Sequence, residues 1–144
     1  MQITRGGDWR AYRKYNGTVY EHEGIDLRAV DGNGNPINII ASSPGIVDQI
    51  RWYDPGTGYG KYIRLRHEYM GEVYRTWYAH LSRIRSDIRI GDVVNRKELL
   101  GVAGSTGNST GIHLHFSLEW IGHGESGNFI WGDWINPKPH LGLS

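Results

Sequence analysis

Residues Gly111 to Trp120 read G-I-H-L-H-F-S-L-E-W and alternate without a break. Ile112, Leu114, Phe116, Leu118 and Trp120 fall on one side of a period-2 element, and His113, His115, Ser117 and Glu119 on the other. Successive side chains of a strand point to opposite faces, so the pattern predicts a half-buried β-strand. Its apolar face has the makeup of a core. Its polar face carries two histidines at i, i+2, about 6.5–7 Å apart on the same side. Such a pair can hold a metal, or set one ligand beside one base. It can equally be a pair of surface histidines, and this stretch alone does not choose.

Composition narrows the partners. A chain of 144 residues predicts one domain with a real core. Its 16 basic and 15 acidic residues leave a formal charge of +1, and the basic residues are scattered, so neither nucleic acid nor an anionic membrane surface is an expected partner. No apolar run approaches the roughly 20 residues of a membrane helix. The first fifteen residues are polar and lack the apolar centre of a signal peptide, which reads as an excised domain or a protein that reaches its site without a classical signal. Without cysteine, any metal must sit on His, Asp or Glu. The 21 glycines, 6 Trp and 9 Tyr favour an all-β domain rich in turns, the aromatics serving mainly as core.

Along the chain, residues 1–21 show no clear period and read as an irregular lead-in packed on a domain covering 22–140. His22-Glu23-Gly24-Ile25-Asp26 resembles the zincin H-E-x-x-H only superficially, because that motif needs a helix and Gly24 with the turn cluster Asp31 to Pro36 argues against one. In an extended chain His22 and Asp26 point the same way. Short strands are predicted at Ile37–Ala41, Ile46–Tyr53 and Tyr62–His67, then at Val73–His80, which pairs with its predecessor as a β-hairpin. On that last strand Tyr74, Thr76, Tyr78 and His80 share a face by parity, and His80 stands at the end, where a side chain can reach a site from a rigid root. Ile90 to Gly101 reads as two short strands around a turn at Asn95 to Lys97. The glycine-rich stretch Gly101 to Gly111 is no phosphate loop, because Thr106 stands where the second glycine is required and the loop has no lysine. Ile121 to Asp133 reads as a polar loop, and no helix longer than a turn or two is predicted.

The chain thus offers His22, Asp26, His80, His113 and His115, each facing polar space on a strand or strand end. A catalytic zinc site takes three His or carboxylate ligands and keeps a fourth position for water, with a base and an oxyanion partner nearby. Glu119 is the candidate to accept the second N–H of a ligating imidazole. His67 alternates with core residues and reads as a packed structural histidine. His123 and His140 fall in loops without a role, and Glu23 reads as a solvated rim residue.

His22-x-Gly-x-Asp26, the Gly58-Tyr-Gly60 loop, Tyr78-Ala-His80-Leu-Ser82 and Gly104-Ser-Thr-Gly-Asn-Ser-Thr-Gly-Ile-His-Leu-His-Phe116 occur in this order. Together, from about Tyr20 to Pro137, they resemble the lysostaphin-like zinc metallopeptidases, which cut peptide bonds in bacterial peptidoglycan. The resemblance implies zinc ligands His22, Asp26 and His115, with His80 and His113 catalytic and not ligands. It implies a mainly antiparallel β fold, the duplicated hybrid motif, with a long substrate groove. Ile112 stands where the family commonly has proline, and the Ile121–Asp133 loop is long; neither departure removes a chemical group. One zinc ion would activate its water, His113 would take the proton, and His80 would bond the developing oxyanion, or the two would exchange roles. Tyr59 and Tyr78 are candidate substrate contacts, and Trp120 could line the groove. A monomer acting outside the cell or in its envelope, on cross-bridge or stem peptides, is the expectation. The alternatives are a non-catalytic wall-binding or hydrolase-activating relative and a biotinyl- or lipoyl-type carrier. The carrier would need Lys97 as its modified residue, and Lys97 lacks the usual flanking methionine.

Overall fold

The computed structural model describes residues 2–15, 17–123 and 132–143. Eleven antiparallel-paired strands and no helix occur among them. The organising strand is β10 (His113–His123), which contains the alternating stretch. One edge of β10 pairs with β7 (Glu72–Ile84) from His115 to His123. Its other edge is shared: β3 (Ile25–Arg28) takes His113 to Phe116, and β11 (Asp133–Ile135) takes Leu118 to Trp120. Beyond β7 the sheet continues through β6 (Lys61–Tyr69), β5 (Gly45–Arg51) and β8 (Val93–Val94). The far end of β7 also pairs with β9 (Leu99–Ala103), which carries β4 (Asn38–Ile40).

The period-2 pattern sorts the two faces. Leu114, Phe116 and Leu118 of β10 bury on one side, with Ile25 and Leu27 of β3, Ile63 and Leu65 of β6 and Tyr78 of β7 in a single core. His113, His115, Ser117 and Glu119 occupy the opposite face. The hairpin between β6 and β7 closes at Tyr69 and Glu72 through Met70 (φ 51°) and Gly71 (φ 78°). Two successive left-handed residues make the turn whose twist matches antiparallel strands.

Three segments differ from what the sequence pattern predicts. Residues 12–21 are no irregular stretch but a hairpin of β1 (Tyr12–Tyr15) and β2 (Thr18–Glu21). The residues before it are tied to β3 through backbone bonds from Asp26 N to Gly7 O (2.8 Å) and from Thr4 N to Asp26 O (2.9 Å). β7 runs four residues past His80 to Ile84. β10 runs through His123 and β11 begins at Asp133, so both ends of the stretch read as a loop are strand, and residues 124–131 lie outside the described residues. His67 is buried, as its alternation implied, between the Pro44 carbonyl (2.6 Å from Nδ1) and Thr76 Oγ1 (2.7 Å from Nε2). His140 bonds Ser42 Oγ (3.1 Å) and stacks on Phe116 at 6.0 Å, a packing contact that gives a role to a residue the sequence left without one.

Candidate metal centre and groove

Asp26 stands directly opposite His115 in the β3–β10 ladder, which sets a carboxylate beside an imidazole by strand register alone. His22 reaches the same point from the link between β2 and β3, its backbone held by Ala11 O (2.9 Å) and Arg10 N (3.0 Å) of the lead-in. Gly24 lets that link pass close to β10. A Cβ there would lie 2.5 Å from both Phe116 O and Ser117 Oγ and 2.9 Å from His115 Nε2, distances no side chain tolerates. The spacing His22-x-Gly-x-Asp26 therefore has a steric cause.

The donor atoms converge. Ligand atoms of His22, Asp26 and His115 all lie within 4.8 Å of one another, and all three residues are buried. His22 Nε2 is 3.1 Å from His115 Nδ1, and Asp26 Oδ1 is 3.4 Å from the former and 3.2 Å from the latter. The remaining imidazole nitrogens are occupied. His22 Nδ1–H donates to Asp8 O (3.1 Å), and His115 Nε2–H donates to Ser117 Oγ (2.6 Å). These outer partners suit the tautomers in which His22 Nε2 and His115 Nδ1 would turn lone pairs to an ion, the arrangement of a ligating pair whose other nitrogens are held by outer partners. Burial would push the Asp26 carboxyl up, but the His115 and His22 imidazoles and the Arg13 guanidinium around it outweigh that and hold the group far below the usual carboxylate range. Burial pushes His115 down, keeping the imidazole neutral. Two imidazoles and a carboxylate suit zinc, and the residues present fit one ion with three protein ligands.

Ser117, not Glu119, is the outer partner of His115. Two residues further along the same face, Glu119 points to a separate polar layer: it accepts from Trp77 Nε1 (3.2 Å) and Gly132 N (2.9 Å) and faces Arg75 (3.5 Å). The i, i+2 spacing brings a short hydroxyl within reach of the imidazole and carries the carboxylate past it.

His80 and His113 flank the centre, ring centroids 4.8 Å apart. His80 owes its aim to a defect in β7. Its φ of 62° is left-handed, and the β6–β7 register slips between Lys61–Leu81 and Ile63–Tyr78. That bulge inserts a residue and turns His80 away from the core face that parity would give it. Tyr78 remains in the core, 1 % exposed, with its hydroxyl between Ser42 N and Thr76 Oγ1 (both 3.0 Å). The expectation of Tyr78 as a substrate contact is therefore wrong, and so is the shared face of Tyr78 and His80. The two flanking imidazoles are anchored alike: His80 Nδ1–H donates to Thr106 O (2.7 Å) and His113 Nδ1–H to Gly111 O (2.8 Å). Each leaves Nε2 as a lone-pair acceptor, with His113 Nε2 3.6 Å from Asp26 Oδ1. Burial pushes His80 down to about 4, so its ring is neutral at ordinary pH.

The centre lies in a groove of about 1200 Å³ whose lining includes Tyr59, Tyr62, Trp77 and Trp134. Tyr59 stacks on His115 at 5.0 Å and donates its hydroxyl to Glu23, so Glu23 is a bonded wall residue and not a solvated rim. Burial, then the Glu23 charge, push the Tyr59 phenol up, which keeps it a neutral donor. Trp120 lies outside this lining and donates to Glu72 instead (2.8 Å). The sequence also missed Tyr12, Arg13 and Tyr20 of the β1–β2 hairpin, which form one wall. Their only signal was the excess of aromatics in a segment without a period.

Residues 20–128 match the sequence profile of Peptidase family M23. The chain belongs to that family. An uncharacterized metalloprotease of Haemophilus influenzae is 38% identical over 103 residues, 72% of this chain and 19% of that protein. The peptidoglycan DD-endopeptidase ShyB of Vibrio cholerae is 31% identical over 117 residues, 81% of this chain and 25% of that protein. The chain thus spans a quarter or less of these relatives. Among solved structures, the catalytic domain of lysostaphin from Staphylococcus simulans superposes with a TM-score of 0.68 at 28% identity, covering 98% of this chain and 92% of that one. The all-β, antiparallel architecture of this M23 chain is thus that of lysostaphin-type domains.

Proposed function

We propose that the chain is a zinc-dependent endopeptidase acting on peptide bonds of bacterial peptidoglycan, in the envelope or outside the cell. The observation that carries this is the meeting of two sets of atoms at the floor of one groove. His22 Nε2, Asp26 Oδ1 and His115 Nδ1 converge, and the free Nε2 atoms of His80 and His113 stand beside them. Membership of M23 and the endopeptidase relative support it.

Zinc, when bound, supplies Lewis acidity that brings the pKa of a water toward about 7 and polarises a carbonyl. The chain's own residues do the rest. His22, Asp26 and His115 would hold the ion, their tautomers preset by Asp8 O and Ser117 Oγ. His113 accepts the proton of the attacking water at Nε2 and returns it to the leaving amine. His80, neutral and an acceptor at Nε2, orients that water; it can donate to a developing oxyanion only after gaining a proton. The aromatic walls of Tyr59, Tyr62, Trp77 and Trp134 lay an extended peptide across the centre, their faces giving contact area without demanding charge.

The test is digestion of sacculi carrying different cross-bridges, with zinc-loaded and chelated protein, followed by mass spectrometry of the released fragments. Release that stops with chelator and returns with zinc is expected, and the fragment masses name the bond. Sacculus binding without release from any of them would favour the non-catalytic wall-binding reading.

A further inference from the structure

Asp26 has two oxygens, and only one faces the other ligands. Oδ1 lies 3.2 Å from His115 Nδ1 and 3.4 Å from His22 Nε2. Oδ2 is taken by Arg13 Nη2 at 2.8 Å, and the same nitrogen donates to Gly6 O at 2.9 Å. Arg13 comes from β1, a strand whose neighbour Tyr12 and whose partner-strand residue Tyr20 line the groove. A guanidinium is charged at every accessible pH and cannot ligate a cation, so its place beside a metal ligand needs a reason.

The geometry points to Arg13 as a positioning residue: by occupying Oδ2 it makes Asp26 a one-oxygen ligand and couples the β1–β2 wall to the metal centre. A carboxylate free at both oxygens can close on an ion with both and fill the position a water needs. With Oδ2 committed to a charge-assisted bond, the carboxylate offers Oδ1 alone. The inference rests on the metal reading above, since a one-oxygen ligand has meaning only where an ion is held.

Two effects of removing the guanidinium have opposite sign, which makes the assignment testable. Electrostatics alone predicts tighter metal binding, because a cation beside the site repels the incoming ion. Positioning predicts weaker binding, on the scale of about 10–100-fold seen when outer partners of metal ligands are lost. Arg13→Met removes the donors and keeps the stem. Its zinc affinity is measured by competition with a chromogenic chelator, and the coordination number by the visible spectrum of the cobalt-substituted protein, in which four-coordinate ions absorb more strongly than five- or six-coordinate ones. Zinc binding about 10–100-fold weaker, with a weakened cobalt band, is expected. Arg13→Lys, which can still donate to Oδ2, is expected to recover part of both. If Arg13→Met does not fold, Arg13→Ala, which also removes the donors, is read in the same way.

Unchanged or tighter zinc binding with an unchanged cobalt spectrum would overturn the assignment. A lysine variant no better than the methionine one would do so too, because the effect would then be hairpin packing. A wild type that binds no zinc would sink the metal reading and this one together, whereas zinc-binding wild type with an unaffected Arg13→Met sinks this one alone.

Discussion

Ser117 Oγ stands 2.6 Å from His115 Nε2, both side chains on one face of β10 and both buried. As an acceptor the hydroxyl holds the Nε2–H and leaves Nδ1 for an ion. Ser117→Ala removes it and strands a buried N–H, at a cost of about 1–3 kcal/mol. The imidazole then gains by turning or changing tautomer. Zinc affinity is expected to fall about 10–100-fold with the fold retained. Chelator competition on the purified variant measures this, and an affinity equal to wild type would show that strand geometry alone orients His115.

Gly24 makes a second, steric prediction. A methyl group there meets the Phe116 carbonyl and Ser117 hydroxyl at 2.5 Å and His115 Nε2 at 2.9 Å. Neither β10 nor the link carrying His22 can retreat without moving a ligand. Gly24→Ala is expected to cost about 1–3 kcal/mol by overpacking and to lower zinc occupancy in the same preparation. Thermal melting and elemental analysis read the two effects. A variant with normal melting and full occupancy would mean that the link has slack which the packing does not suggest.

How much of this was legible depends on whether a local pattern reports the contact. β10 was readable because its alternation is strict and one face is core. His22, Asp26 and His115 were named from spacing and family resemblance, and in the structure they converge. Tyr78 was misplaced because parity assumes a regular strand, and the bulge that re-aims His80 leaves no period in the residues around it. The β1–β2 hairpin escaped notice because Thr18, Val19, Tyr20 and Glu21 are all exposed, so no buried face imposes alternation. Arg13 was invisible for another reason: its partner Asp26 is thirteen residues away and across a turn. Glu119 is a candidate partner by residue type, whereas reach along the strand gives the place to Ser117.

Stability should depend on pH through His67, which lies away from the metal centre. Burial lowers its pKa from the ordinary 6.5, with the Pro44 carbonyl and Asp48 opposing only in part. The unfolded chain therefore binds a proton that the folded chain refuses. Stability rises with pH wherever the unfolded state binds more protons, so the His67 contribution is full above about pH 6.5 and is lost progressively as pH falls toward the folded value. Metal-free wild type is expected to lose more melting temperature between pH 7.5 and 5 than metal-free His67→Gln. Parallel curves for the two proteins would remove His67 from the acid response.

His80 and His113 should fail together. Their Nδ1 atoms are pinned by the carbonyls of Thr106 and Gly111, their rings lie 4.8 Å apart, and both aim a lone pair at the same floor. Neither is needed to hold the ion, so each alanine variant is expected to keep its zinc. Each should lose on the order of 10²–10⁴ in kcat, the usual worth of positioned proton transfer. If His80 orients the water whose proton His113 takes, losing either spoils the same event, and the double variant should be little worse than the weaker single one. Steady-state kinetics on a peptide identified from the sacculus digests, with zinc content measured alongside, decides this. Losses that multiply in the double variant would separate the two histidines into independent steps, with His80 acting on the carbonyl oxygen and not on the water.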